Sequence, residues 1–121
     1  MIKLMLRISD LAANDIVDTL RFTEVRLGQS AKRQYCNQLL ATLHSLAEEP
    51  VHTSSSMRDE LLPGLRSLHL SSNKIKMDDG RIISPRHIVF YRTGTDQTIE
   101  IIRLLHDAME IPQHLNHLHQ Q

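Results

Sequence analysis

TIEIIRLLHDAMEIPQHLNHL, residues Thr98–Leu118, decides how the rest of the chain is read. Its first part, Ile99 to Leu105, is an apolar run rich in isoleucine and interrupted by Glu100 and Arg103. β-Branched residues pack well on a pleated surface, so the run reads as a strand buried on both faces, although periodicity alone leaves a helix open. Polar Asp107 and then Pro112 end it near His106. An arginine inside such a run needs a partner or a route to water. Arg103 and His106 therefore stand at the end of a central strand as candidate functional groups.

Working back from that strand, Thr93–Gln97 (TGTDQ) is a turn and His87–Tyr91 (HIVFY) a second apolar strand. Asp79-Gly80, flanked by Ile75, Met77, Ile82 and Ile83, signals a hairpin. Ser71–Pro85 is accordingly a short β-excursion or an extended loop. After the Pro63-Gly64 turn, Leu65–Leu70 alternates, with Leu68 and Leu70 on one face and Ser67 and His69 on the other, which predicts a strand. Val51 to Pro63 has no period and little hydrophobicity, and is expected to be a mobile loop.

The first half reads as helical. Ser9 is a natural N-cap, Asp10 suits the positive end of the dipole, and Gly28 supplies the stop. Between them Ala12, Ile16, Leu20, Thr23 and Leu27 form one stripe, while Leu11, Phe22 and Val25 fall on nearly the opposite side. Ser30 is expected to cap a second helix running to about Glu49, with Tyr35, Cys36, Leu39, Leu40, Leu43, Leu46 and Ala47 on a broad apolar arc. So short a link forces an antiparallel helical hairpin. Ile2–Ile8 is expected to be the first strand. The order β-α-α-β-β-β predicts an α+β fold: a helical hairpin on one face of a small, mainly antiparallel sheet.

The chain has 121 residues, enough for one domain (1–121), with a flexible tail expected from about 113. Four aromatic residues and no Trp imply an aliphatic core. Fourteen basic against fourteen acidic residues offer no global attraction to nucleic acid or to an anionic membrane, although Arg81, Arg86, Arg92 and Arg103 gather in the second half. A lone Cys36, read as a core or boundary residue, excludes an internal disulfide and suits a reducing, cytoplasmic setting. Met1–Ile8 lacks the apolar core and cleavage site of a signal peptide, and no apolar run approaches the roughly 20 residues that cross a bilayer. His114, His117 and His119 are spaced closely enough for metal ligation, but no Cys or carboxylate completes a set, so no metal and no cofactor is expected.

Three stretches taken in order, LLPGLRSLHL (Leu61–Leu70), SPRHIVFYR (Ser84–Arg92) and IIRLLHDAMEIPQHL, resemble the ParE-type toxins of the ParE/RelE superfamily. With the helical half before them, the resemblance spans roughly Leu4 to Leu118. It implies the toxin of a type II toxin–antitoxin system, of the sort that arrests growth and stabilises plasmids. Such a toxin is held inactive by an antitoxin, here expected to be ParD-like with a ribbon-helix-helix domain, whose C-terminal segment lies on the helical hairpin. When free it acts on DNA gyrase. The spare apolar patch Leu11, Phe22 and Val25 is the candidate antitoxin-binding face, and Arg66, Arg103, His106 and Met109 are the candidate target contacts. No catalytic residue is assigned on that reading. The alternative is a ribosome-dependent mRNA endonuclease of the RelE type, for which Arg66, His69, Tyr91, Arg103 and His106, with Arg86 and His87 nearby, would supply acid, base and cations. The bland account has Arg66 and Arg103 paired structurally with Glu60, Asp107 or Glu110. The departures from the family pattern are the long Ser71–Pro85 segment and the His-rich end.

Overall fold

The apolar run becomes β7 (Thr98–His106), in which every third residue, Glu100, Arg103 and His106, is half-buried and the rest are buried. The computed structural model describes residues 4–52, 54–72 and 74–116. On one side β7 pairs in parallel with β1 (Met5–Ile8), from Met5↔Thr98 to Ile8↔Ile101. On the other it pairs antiparallel with β6 (His87–Thr93), which pairs in turn with β3 (Arg66–His69). The sheet is completed by β2 (Ser55–Met57) at its far edge, giving the order β1-β7-β6-β3-β2. One parallel and three antiparallel pairings make it mainly antiparallel, as the sequence implied.

Two helices cover one face. Ser9 Oγ accepts the Ala12 N–H at the head of α1 (Asp10–Leu27), and Gly28 ends that helix in a left-handed conformation, φ +96°. A side chain at Gly28 would be strained by that φ. α2 (Gln29–Glu48) starts at once, so Gly28 is the whole link and also the N-cap residue of α2. Ser30 therefore does not cap α2; its hydroxyl donates to Asp78 instead. The stripe on α1 holds as far as Thr23 but not to Leu27, which is exposed at the border of a cavity beside the sheet. Leu39, Leu43, Leu46 and Ala47 of α2 pack with Leu68, Val89, Tyr91, Ile99, Ile101 and Leu104 of the sheet.

The segment expected to be a loop over Val51–Pro63 contains β2, a correction to the sequence reading. Ser55, Ser56 and Met57 carry no apolar alternation because β2 is an edge strand with Ser56 and Met57 exposed, and its pairing with β3 supplies the order. The hairpin signal at Asp79-Gly80 is realised as β4 (Ile75–Lys76) and β5 (Ile82–Ile83). Asp78 at its turn accepts from Ser30 Oγ (2.9 Å) and Gln34 Nε2 (3.2 Å), latching the hairpin to α2.

A β-bulge splits β7 between the two faces. Phe90 lies opposite Arg103 while Tyr91 lies opposite Ile101, so Ile102 is an extra residue. Ile99, Ile101 and Leu104 thus face the helices, whereas Ile102 and Leu105 join Leu65, Phe90 and Leu115 in a second, smaller core on the other face. Leu115 follows α3 (Ile111–His114), and only 1% of it is exposed. The chain is thus packed two residues beyond the point from which a flexible tail was expected; residues 117–121, with His117 and His119, lie outside the described residues. Among the described residues no helix is long and apolar enough to cross a membrane.

Candidate functional site

Both arginines named as target candidates, Arg66 and Arg103, are tied into the framework. β1 ends at Ile8, so the β7 edge beyond Ile101 has no neighbouring strand, and the start of α1 occupies it instead. Ser9 N–H and Oγ–H donate to the carbonyls of Ile101 and Ile102, and Asp15 Oδ2 accepts the Leu104 N–H at 3.0 Å. The same carboxylate takes both Nε (2.7 Å) and Nη2 (3.0 Å) of Arg103, whose Nη1 donates to the His114 carbonyl (2.9 Å). Arg103 thereby joins the sheet, α1 and the C-terminal segment in one node. Arg66 donates from Nε and Nη2 to Ser55 Oγ at 3.1 and 2.8 Å, stitching β2 to β3.

The pairings expected from sequence are therefore corrected. Glu60 pairs with Arg58, not with Arg66, and Asp107 pairs with Arg86 and His69, not with Arg103. The partners chosen by the fold are distant in sequence: Asp15 lies 88 residues from Arg103. Tyr91 is fully buried, and its hydroxyl donates to the Pro50 carbonyl at 2.7 Å. Arg66, Tyr91 and Arg103 thus do not converge with His69 on an open pocket.

What the fold does assemble is a histidine cluster where β6 begins and β7 ends. His87 lies opposite His106 in the ladder, with ring centroids 5.2 Å apart in a T-shaped contact. His69 Nε2 donates to Asp107 Oδ2 at 3.0 Å, while its Nδ1 accepts the Ser71 N–H. Arg86 Nη2 stands 2.9 Å from Asp107 Oδ1. The His69 hydrogen bond, followed by that from Arg86, holds the Asp107 carboxyl below the usual carboxylate range. His87 sits deeper, with Nδ1 3.2 Å from the Tyr35 hydroxyl and Nε2 3.4 Å from Thr19 Oγ1, so it bridges both helices to the sheet. Burial, assisted by the neighbouring His106, pushes its pKa down to about 4, and burial pushes the Tyr35 phenol up. A neutral His87 with both nitrogens engaged is a structural bridge at neutral pH. The sequence reading placed His69, His87 and His106 on these strands with Arg86 beside them, but missed Asp107 as their hub and Tyr35 as the anchor.

His106 lies at the floor of a cavity of about 260 Å³ between the hairpin turn and the β4–β5 arm. Met109, just beyond it, is exposed. The apolar patch on α1 is open as well, with Leu11 41%, Phe22 62% and Val25 79% exposed. Arg26 stacks over the Phe22 ring at 5.5 Å.

Residues 6–111 match the family model described as ParE toxin of the type II toxin–antitoxin system, parDE. The chain belongs to the ParE toxin family. It is 34% identical over 110 residues to Toxin ParE1 of Caulobacter vibrioides, a match that covers 90% of this chain and 95% of that relative. Its fold is similar to a solved chain of the chromosomal ParDE toxin–antitoxin system from P. aeruginosa, with a TM-score of 0.63, 15% identity, and coverage of 86% of this chain and 96% of the other. At that identity the solved chain speaks for the ParE architecture alone. The helical hairpin on a mainly antiparallel sheet is the architecture the two share.

Proposed function

We propose that this ParE-family toxin works by binding rather than by catalysis, inhibiting DNA gyrase and being neutralised by a cognate antitoxin of the ParD type. Family membership supports the toxin and its antitoxin. The observation that favours binding over cleavage is the engagement of the nuclease candidates: Arg66 is spent on Ser55, Tyr91 on Pro50, and Arg103 on Asp15. Phosphoryl chemistry needs cations and a proton acceptor converging on one accessible point. An exposed apolar surface on α1 and zero formal charge fit a protein partner better than RNA. The antitoxin segment lies across Leu11, Phe22 and Val25, and the gyrase contact draws on the Met109–His106 end of the sheet. The protein operates in the cytoplasm, where gyrase is found. A supercoiling assay with purified toxin tests the reading: inhibition at micromolar toxin or below is expected, and unaffected gyrase removes it. Codon-positioned cuts in a message added to a translation extract would transfer the assignment to the nuclease class.

A further inference from the structure

The cavity behind the hairpin turn has a form that the bare toxin assignment does not explain. One wall is Phe22, Arg26 and Leu27 at the end of α1; the other is Ile83, Ser84 and Pro85 of the β4–β5 arm; Tyr35, His87 and His106 form the floor. It holds about 260 Å³, too small for an extended chain and of the order of a single large side chain. Its lining is mostly apolar, and burial keeps His87 in its floor neutral. The rim is cationic. Arg86 is offset by Asp107, but among the described residues no carboxylate pairs with Arg26, whose guanidinium lies over Phe22. Phe22 belongs to both the cavity and the exposed α1 patch, so a chain lying on that patch meets the cavity at Phe22.

We propose that this cavity is a specificity pocket for the antitoxin: it takes one large apolar side chain, aromatic or branched, from a segment that presents a carboxylate to Arg26. An apolar group gains by leaving water for the pocket, and an acid beside it meets an otherwise unpaired cation. The β4–β5 arm sets the width of the opening, because Asp78 fixes the arm to Ser30 and Gln34. An antitoxin lacking the acid-flanked anchor is rejected by the unfilled pocket and the unpaired charge. The proposal rests on the reading that an antitoxin neutralises this toxin by lying on the hairpin.

The test measures the affinity of the purified cognate antitoxin, and of overlapping short peptides tiling it, for the full toxin chain by titration calorimetry. Ser84→Trp, which fills the opening from its exposed lip, and Arg26→Glu, on the exposed helix surface, are each expected to weaken binding at least tenfold while the toxin's melting midpoint stays unchanged. Exchanging the antitoxin's flanking acid for lysine should restore binding to Arg26→Glu and weaken it for the unaltered toxin. Unchanged affinity for both folded variants, or no rescue by the charge exchange, overturns the pocket while leaving antitoxin neutralisation intact. Failure of the unaltered toxin to bind the antitoxin overturns the underlying reading, and the pocket with it.

Discussion

Replacing Arg103 by methionine asks whether the guanidinium belongs to the fold or to a target. In the structure Asp15 holds it with two hydrogen bonds, and the two side chains are only 15% and 13% exposed. Removing one partner of such a pair strands a carboxylate in a poorly hydrated position, at a cost of about 3 to 5 kcal/mol. Asp15 keeps the Leu104 N–H as a donor and some contact with water, so Arg103→Met is expected near the lower end, about 3 kcal/mol. Asp15→Ala strands both Arg103 and the Leu104 N–H and should cost about 4 kcal/mol. Because the double variant leaves no uncompensated charge, it should also cost about 4 kcal/mol, which corresponds to a coupling energy of about 3 kcal/mol. Urea unfolding followed by circular dichroism, on toxin separated from its antitoxin, gives all three numbers. A loss below about 1 kcal/mol for Arg103→Met would refute the reasoning. Abolished growth arrest in that stable variant would then make Arg103 a contact for the target.

His87 should make stability depend on pH. Its folded pKa of about 4 lies below the ordinary 6.5, so the unfolded chain binds more protons between those values and stability falls as the pH drops through that window. Between pH 7.5 and 5.0, with an allowance for partial exposure, the loss is about 1 kcal/mol; His87→Gln should flatten it, and an unchanged slope in that variant would place the dependence elsewhere. The lowered carboxyl of Asp107 contributes stability above the ordinary carboxylate range and loses it only at more acid pH, outside this comparison. Leu115→Ala should cost about 2 to 5 kcal/mol in the same unfolding assay, since that side chain is buried against Phe90 and Ile102. Tyr91→Phe orphans the Pro50 carbonyl and should cost about 1 to 3 kcal/mol without abolishing growth arrest; a folded but harmless variant would favour chemistry at the phenol.

The long elements were legible because each carries its own period and punctuation. The α1 start at Ser9, the stop at Gly28, and the strands β6 and β7 follow from side chains within a few residues of one another. β2 was not legible, since Ser55–Met57 owes its order to β3 and to a guanidinium eleven residues away. Ser30 was misread as a cap because a serine near a helix start looks the same whether it serves its own helix or a neighbouring arm. The site divides the same way. Which residues were polar on which strand could be read directly, but Asp15, Asp107 and Tyr35 reach their partners only through tertiary contact.

The extra residue in β7 has a consequence for how this strand can change. Deleting Ile102 would restore a regular ladder, with Arg103 still opposite Phe90 and Leu104 and Leu105 facing the cores they face now. The loss would fall on the second core alone, which would give up one buried side chain beside Phe90 and Leu105. The node joining sheet, helix and C-terminal segment would keep its register. A one-codon deletion here would thus thin the packing beneath the C-terminal segment while leaving the guanidinium above it in place.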